Sequence, residues 1–280
     1  MLRKAIIQLM ILAGAFFATW YTLSRVDFIN EQEYQLISEE KQERLGDLIL
    51  ESLTQGTEEV TDEGVVAVID SLKTRICRTQ FVSCDAIKIH VIRNPQVNAF
   101  ALPGNHIVIF TGLIEYAENA EEVAGVMAHE IGHLEKNHVM KKLIKEIGIE
   151  MLFAIIGGDA GFEIIRQTGK TLSSTAFDRA NESEADAYAV ETLALADVDP
   201  LHLSNFFFRM SQDHHLPRNL SWLSTHPHST DRAAEIIRKK KELIVESRAI
   251  LATPWSQVKK WLEVKEDVAR WEDKKNKKDL

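Results

Sequence analysis

The sequence predicts an α+β fold that is mainly helical, with a small β-sheet beside the helix of an HExxH motif and one N-terminal membrane helix. Three observations predict it. His129-Glu130-Ile131-Gly132-His133 lies within a run of helical periodicity. Just upstream, Pro103-Gly104 divides a stretch of strong β-propensity. At the amino end, Ala5–Leu23 is an almost unbroken apolar segment of about 19 residues, enough to span a bilayer.

Arg3 and Lys4 precede that apolar segment, whereas Asp27, Glu31 and Glu33 follow it. The asymmetry keeps the amino end cytoplasmic and places the rest outside, in the periplasm if the host is Gram-negative. Trp20 and Tyr21 stand where an interfacial aromatic belt is expected. Two outcomes are open: an uncleaved single-pass anchor in the inner membrane, or a signal peptide cut after Ala13-Gly14-Ala15 that leaves a soluble periplasmic form. No Cys stands at a lipoprotein cleavage position, which argues against a lipid anchor.

The expected organisation is an anchor or signal peptide at 1–24, a helical lead-in at 25–75, one domain at 76–250, and an amphipathic, partly disordered tail at 251–280. Cys77 and Cys84 are the only cysteines and are not spaced as a metal pair. In an oxidising compartment they would close a short loop as a disulfide; in a reducing one they would be two buried thiols. The net charge of −9, with no basic stripe near the motif, argues against nucleic acid as a partner.

In HExxH, residues i and i+4 of a helix differ by about 40° of rotation, so His129 and His133 leave the same face about one turn apart. That spacing suits two nitrogen ligands of zinc, one ion per chain. Glu130 stands beside the metal rather than on it, placed as a base for a metal-activated water. Asn119 with Glu122 reads as a capping pair, and Val123, Val126, Met127, Ile131 and Leu134 recur at helical spacing. The result is a core helix with a buried ionisable stripe, which a metal explains more simply than unpartnered histidines do.

Spacing excludes the third-histidine class. Lys136 stands where that pattern requires Gly, and His138 comes one position too early. A Glu from a separate helix fits instead, the gluzincin arrangement. Within Glu182–Leu195, Glu182 and Asp186 are i and i+4 and share a face, while Glu184 points about 160° away toward solvent. Glu182 is therefore the third metal ligand. Asp186 accepts from the far nitrogen of a ligand histidine and so fixes its tautomer.

With these residues in place, the chain resembles the HtpX-like and CAAX prenyl protease-like zinc metallopeptidases, including their periplasmic bacterial members. The resemblance runs from about Ile87 to about Ile237. It rests on Asn98-Ala99-Phe100-Ala101-Leu102-Pro103-Gly104 with Ile107-Val108-Ile109, on Arg179-x-x-Glu182-x-x-Ala185-Asp186, and on Thr225-His226-Pro227 followed by Arg232. It implies His129, His133 and Glu182 as zinc ligands, Glu130 as catalytic base, and polypeptides as substrates. It also implies a substrate strand added to the β-segment, with Asn98, Gly104, Asn105, His106 and Ile107 as the binding residues. The chain departs from members embedded among membrane helices: Met151–Ile156 is apolar but stops at Gly157-Gly158, too short to span and better suited to a flap.

Two residues keep alternative roles. His226, held extended by Pro227, either donates to a developing oxyanion or takes the open metal position as a fourth ligand in a resting state. Arg232 either neutralises the oxyanion or pairs with Asp186 or another core acid. His214, His215 and His228 read as loop histidines. The expected function is zinc-dependent cleavage of misfolded or unassembled envelope proteins. The alternative is a membrane-tethered chaperone or scaffold whose zinc is only structural.

Overall fold

The structure is a computed structural model and describes residues 2–23, 36–78, 84–213, 222–227 and 229–263. Residues 1–37 form one compact unit and residues 38–280 a second. The first contains helix α1, Leu2–Leu23. Among the described residues no helix is long and apolar enough to cross a membrane. The expected membrane span at Ala5–Leu23 therefore rests on the sequence pattern alone. The side chains of Trp20 and Tyr21, and Asp27, Glu31, Glu33, His214, His215 and His228, lie outside the described residues.

The second unit is mainly helical around a three-stranded sheet. Helices α2 (Glu39–Thr54) and α3 (Glu63–Cys77) belong to this unit, burying Leu45, Ile49, Val65 and Leu72. Asp62 caps α3 by accepting from Gly64 N and Val65 N at its first turn. Cys77 closes α3 and is disulfide-bonded. The chain has one other cysteine, Cys84.

Strands β1 (Lys88–Ile92), β2 (Ala99–Leu102) and β3 (His106–Phe110) pair in the order β1-β3-β2. β1 runs parallel to β3 and β2 antiparallel to it, with Ala101 opposite Ile107 and Ala99 opposite Ile109. The turn between β2 and β3 places Gly104 at φ +70 and Asn105 at φ +63. A Cβ on Gly104 would stand 2.5 Å from Glu43 Cα, so α2 lies directly on this turn.

Helices α4 (Thr111–Tyr116), α5 (Ala120–Glu135), α6 (His138–Ile147), α7 (Ile149–Gly157) and α8 (Phe162–Ser174) follow. They are succeeded by α9 (Arg179–Leu195), α10 (Leu201–Gln212), the single turn α11 (Trp222–Thr225) and α12 (Ser229–Lys240). Asn119 caps α5 through Glu122 N at 2.9 Å, while the Glu122 carboxylate accepts from Glu118 N rather than from the cap residue. α7 buries Leu152, Ile155 and Ile156. In the tail, Val258 and Leu262 are buried and Trp255 Nε1 donates to Ala117 O, so residues 251–263 pack on the core. Residues 264–280 lie outside the described residues.

One close approach fixes the geometry of the centre. α5 crosses α9 so tightly that a Cβ on Gly132 would sit 3.1 Å from both Ala185 Cα and Ala185 O. Between the two histidines of HExxH, only a hydrogen side chain lets the helix axes come this near. The crossing brings Glu182 and Asp186 of α9 against His129 and His133 of α5.

Candidate metal centre

His129, His133, Glu182 and His226 each direct one ligand atom to a common point, all four atoms lying within 4.8 Å of one another. All four side chains are buried. His129 Nε2 is 3.0 Å from His133 Nε2 and 3.2 Å from His226 Nδ1. Glu182 Oε1 is 3.3 Å from His133 Nε2 and 2.8 Å from His226 Nδ1. A tetrahedral zinc with bonds of about 2.0–2.1 Å separates its ligand atoms by about 3.3–3.4 Å, and the observed spacings of 2.8 to 3.3 Å lie at or somewhat below that value.

The hydrogen bonds behind the ligands support the same reading. His129 Nδ1 lies 3.0 Å from Asp186 Oδ1, so this nitrogen holds the proton and Nε2 presents a lone pair. His133 Nδ1 faces His138 Nδ1 at 3.0 Å, and His138 Nε2 faces Glu184 Oε2 at 3.2 Å. With His138 protonated on Nε2, its Nδ1 accepts from His133, and His133 Nε2 is also left bare. Lone pairs crowded into one buried point repel unless a cation joins them. The residues present therefore fit zinc.

The charges follow from burial. It holds His133 well below its ordinary value and lowers His226, keeping both imidazoles in the neutral, metal-binding form. For Glu182, burial pushes the carboxyl up, but His226 and Arg232 outweigh it and hold the group well below the usual range. Asp186 is lowered too, its burial overcome by Arg232. Arg232 grips both Asp186 oxygens at 2.7 Å, ion-pairs with Glu182 and donates to His226 O at 3.2 Å. In this structure Arg232 is paired with the core acids Asp186 and Glu182.

Glu130 is buried next to the ligands. Ala101 N donates to its Oε2 at 3.1 Å and Trp222 Nε1 to its Oε1 at 3.0 Å. His226 Nε2 is 3.4 Å from Glu130 Oε1. Base and metal position thus lie under the one segment that carries both Trp222 and His226. The Trp222 ring stacks on His226 at 4.2 Å between centroids, and Phe177 stacks on His133 at 4.0 Å. Lys142 lies 4.0 Å over the Phe177 ring, and burial lowers its amine to about 8.

The expected substrate residues divide. Asn98 is buried at the start of β2 and accepts from Ala99 N. Gly104 lies against α2, and His106 bonds to His90 with Asp47 nearby. His106 and Ile107 belong to β3, the central strand, both of whose sides are already paired. A further strand at His106–Ile107 is therefore excluded; the edge strands are β1 and β2, and β2 is the one beside Glu130. Sequence reasoning left Trp222 unassigned and read Glu184 as solvated; His138, expected either at the surface or supporting a ligand, lies 3.0 Å from His133 Nδ1. Glu184 is exposed yet holds His138. The interval from His133 to His138 was the available signal, since it sets His138 at the start of the next helix over the ligand's far nitrogen.

The sequence profile of peptidase family M48 matches residues 67–240, more than half of the chain. The chain belongs to peptidase family M48. Membership places it among the zinc metallopeptidases, and zinc is the metal for this donor set. Among curated proteins, the M48 chain is 28% identical to a putative beta-barrel assembly-enhancing protease of Vibrio cholerae over 68% of its length and 42% of the relative's. It is 26% identical to the beta-barrel assembly-enhancing protease of Escherichia coli over 69% and 42%. It is 31% identical to the mitochondrial metalloendopeptidase OMA1 of Bos taurus over 54% and 32%. The chain thus spans well under half the length of these relatives.

Proposed function

We propose that this chain is an endopeptidase that hydrolyses peptide bonds of misfolded or unassembled envelope proteins, and that the arrangement described above is its resting state. The observation that carries the reading is Glu130: a buried carboxylate beside four converging ligand atoms, yet not one of them. Zinc, when bound, supplies Lewis acidity toward the scissile carbonyl and acidifies a water. His129, His133 and Glu182 hold the ion. Asp186, locked by Arg232, and His138 orient the two histidines. Glu130 accepts the proton from the attacking water and returns it to the leaving amine.

The outward-facing positions of β2 are the substrate's pairing edge. At rest that edge is taken: Ala101 N by Glu130, Ala99 N by Asn98 Oδ1, and Val97 O by Trp222 N at 2.8 Å. His226 at the fourth metal position completes the closure, so catalysis requires Trp222–His226 to withdraw. The disulfide at Cys77 supports an oxidising compartment, and the order of charges around α1 supports a periplasmic domain on an inner-membrane anchor. Relatives named for β-barrel assembly support substrates of the same compartment.

The competing reading, a tethered chaperone or scaffold with structural zinc, draws on the same four-ligand closure. Glu130 weighs against it, because a structural site has no use for a buried carboxylate held off the metal. The test is cleavage of unfolded casein by the zinc-loaded chain. Chelation abolishes it and His226→Ala raises it several-fold above wild type. A His226→Ala protein that binds zinc normally but never cuts would support the structural role instead.

A further inference from the structure

Trp222 sits where a strand added to β2 would run. Along β2 and the residue row leading into it, Val97, Ala99 and Ala101 face away from β3, since Asn98 O and the alternate residues pair inward. An added strand would pair with that outward row. The Trp222 backbone already does so, donating to Val97 O at 2.8 Å. Its side chain then turns inward beside the metal ligands. The indole is fully buried, its ring centroid 4.8 Å from that of Phe207, 5.2 Å from that of His129 and 6.2 Å from that of Phe206. The Arg232 guanidinium lies 5.4 Å over it.

Of the pocket's walls, only His226 belongs to the same segment. Phe206 and Phe207 come from α10, His129 from α5 and Arg232 from α12, and all are anchored independently. When Trp222–His226 withdraws, an aromatic-lined pocket with a cation over its ring plane remains next to Glu130 and the metal position. We propose that this pocket receives a large aromatic side chain of the substrate next to the scissile bond, and that Trp222 is its built-in mimic. The inference rests on the endopeptidase reading above and names its side-chain preference.

The mimic differs from a substrate ring in one atom group. Trp222 Nε1 donates to Glu130 Oε1 and so occupies the base. A phenyl ring fills the same walls, gains the same edge and cation contacts, and leaves that oxygen free for the water proton. Phenylalanine is therefore the side chain that fits the pocket productively.

The experiment uses the full chain loaded with zinc and carrying His226→Ala, so that substrate rings compete with Trp222 for the pocket. Cut sites in unfolded casein are mapped by mass spectrometry. A fixed position flanking the cut should carry Phe or another aromatic residue about tenfold above its frequency in casein. Cuts without aromatic enrichment would overturn the pocket assignment and leave proteolysis standing. No cuts at all would count against proteolysis itself and take the pocket with it. Two further variants separate packing from recognition. Trp222→Phe keeps the ring but loses the donor, and should cut casein faster than wild type; an unchanged rate would remove the indole N–H from the resting hold. Phe207→Leu in the opened protein should lower kcat/KM for a Phe-containing peptide more than for its Ala counterpart, and an unchanged ratio would contradict the assigned wall.

Discussion

At the scale of single residues, the centre depends on which nitrogen of each histidine carries a proton. Asp186 sets His129 and is itself set by a two-pronged Arg232. Asp186→Ala removes the acceptor and leaves Arg232 facing a gap. Zinc affinity should fall by about 10–100-fold, as measured by competition with a chromogenic chelator. Unchanged affinity would mean that ring orientation is fixed by packing alone. HExxH, Glu182 and Asp186 were legible in the sequence because helical geometry converts spacing into direction. Trp222 was not, because its partners lie 92 residues away at Glu130 and in the β2 row, and no local pattern encodes a contact that folding creates. Arg232 was legible only as two alternatives, since its choice depends on where α12 lies against α9.

At the scale of elements, α5 and α9 make the site by crossing closely at Gly132. Gly132→Ala leaves every ligand in place but presses a methyl group onto Ala185 backbone at 3.1 Å. Separating the helices by a few tenths of an ångström costs about 1–3 kcal/mol by the usual scale of overpacking. The expected result is a lower thermal midpoint and weaker zinc binding together, read by calorimetry with and without metal. A midpoint shift with zinc affinity intact would show that the crossing is not what fixes the ligand spacing. The strands were legible as a turn between β-rich runs, but their order was not. Only the pairing of β1 with β3 makes β3 central and puts β2 at an edge of the sheet, beside α5. Of the segment Asn98–Ile107 expected to bind substrate, His106 and Ile107 are thereby closed to a further strand, and the proposed edge is Val97–Ala101.

At the scale of the molecule, buried neutral histidines make the fold sensitive to acid. Burial lowers His133, His138 and His226 from their ordinary 6.5, and burial beside His90 lowers His106 to about 4. The unfolded chain takes up protons near pH 6.5 that the folded chain refuses. Stability is therefore complete above that pH and is lost as pH falls toward the folded-state values. Glu182 and Asp186, both lowered, begin to erode stability only near their ordinary 4.5 and 3.8. The metal-free protein should show a flat thermal midpoint above pH 7 and a steady fall from pH 6.5 downward. A midpoint constant to about pH 5 would contradict the neutral, buried histidines. At this scale the mainly helical class was legible from periodicity, whereas membership of α2, α3 and residues 251–263 in one packed unit was not. Their core contacts are made with elements far away in sequence.

The central claim is that Glu130 is the base of a zinc peptidase and not a structural acid. Wild type and Glu130→Gln, prepared side by side, are assayed for bound zinc and for cleavage of unfolded casein. One zinc in each chain with cleavage by the wild type alone is the result predicted here; equal cleavage by the two would contradict it.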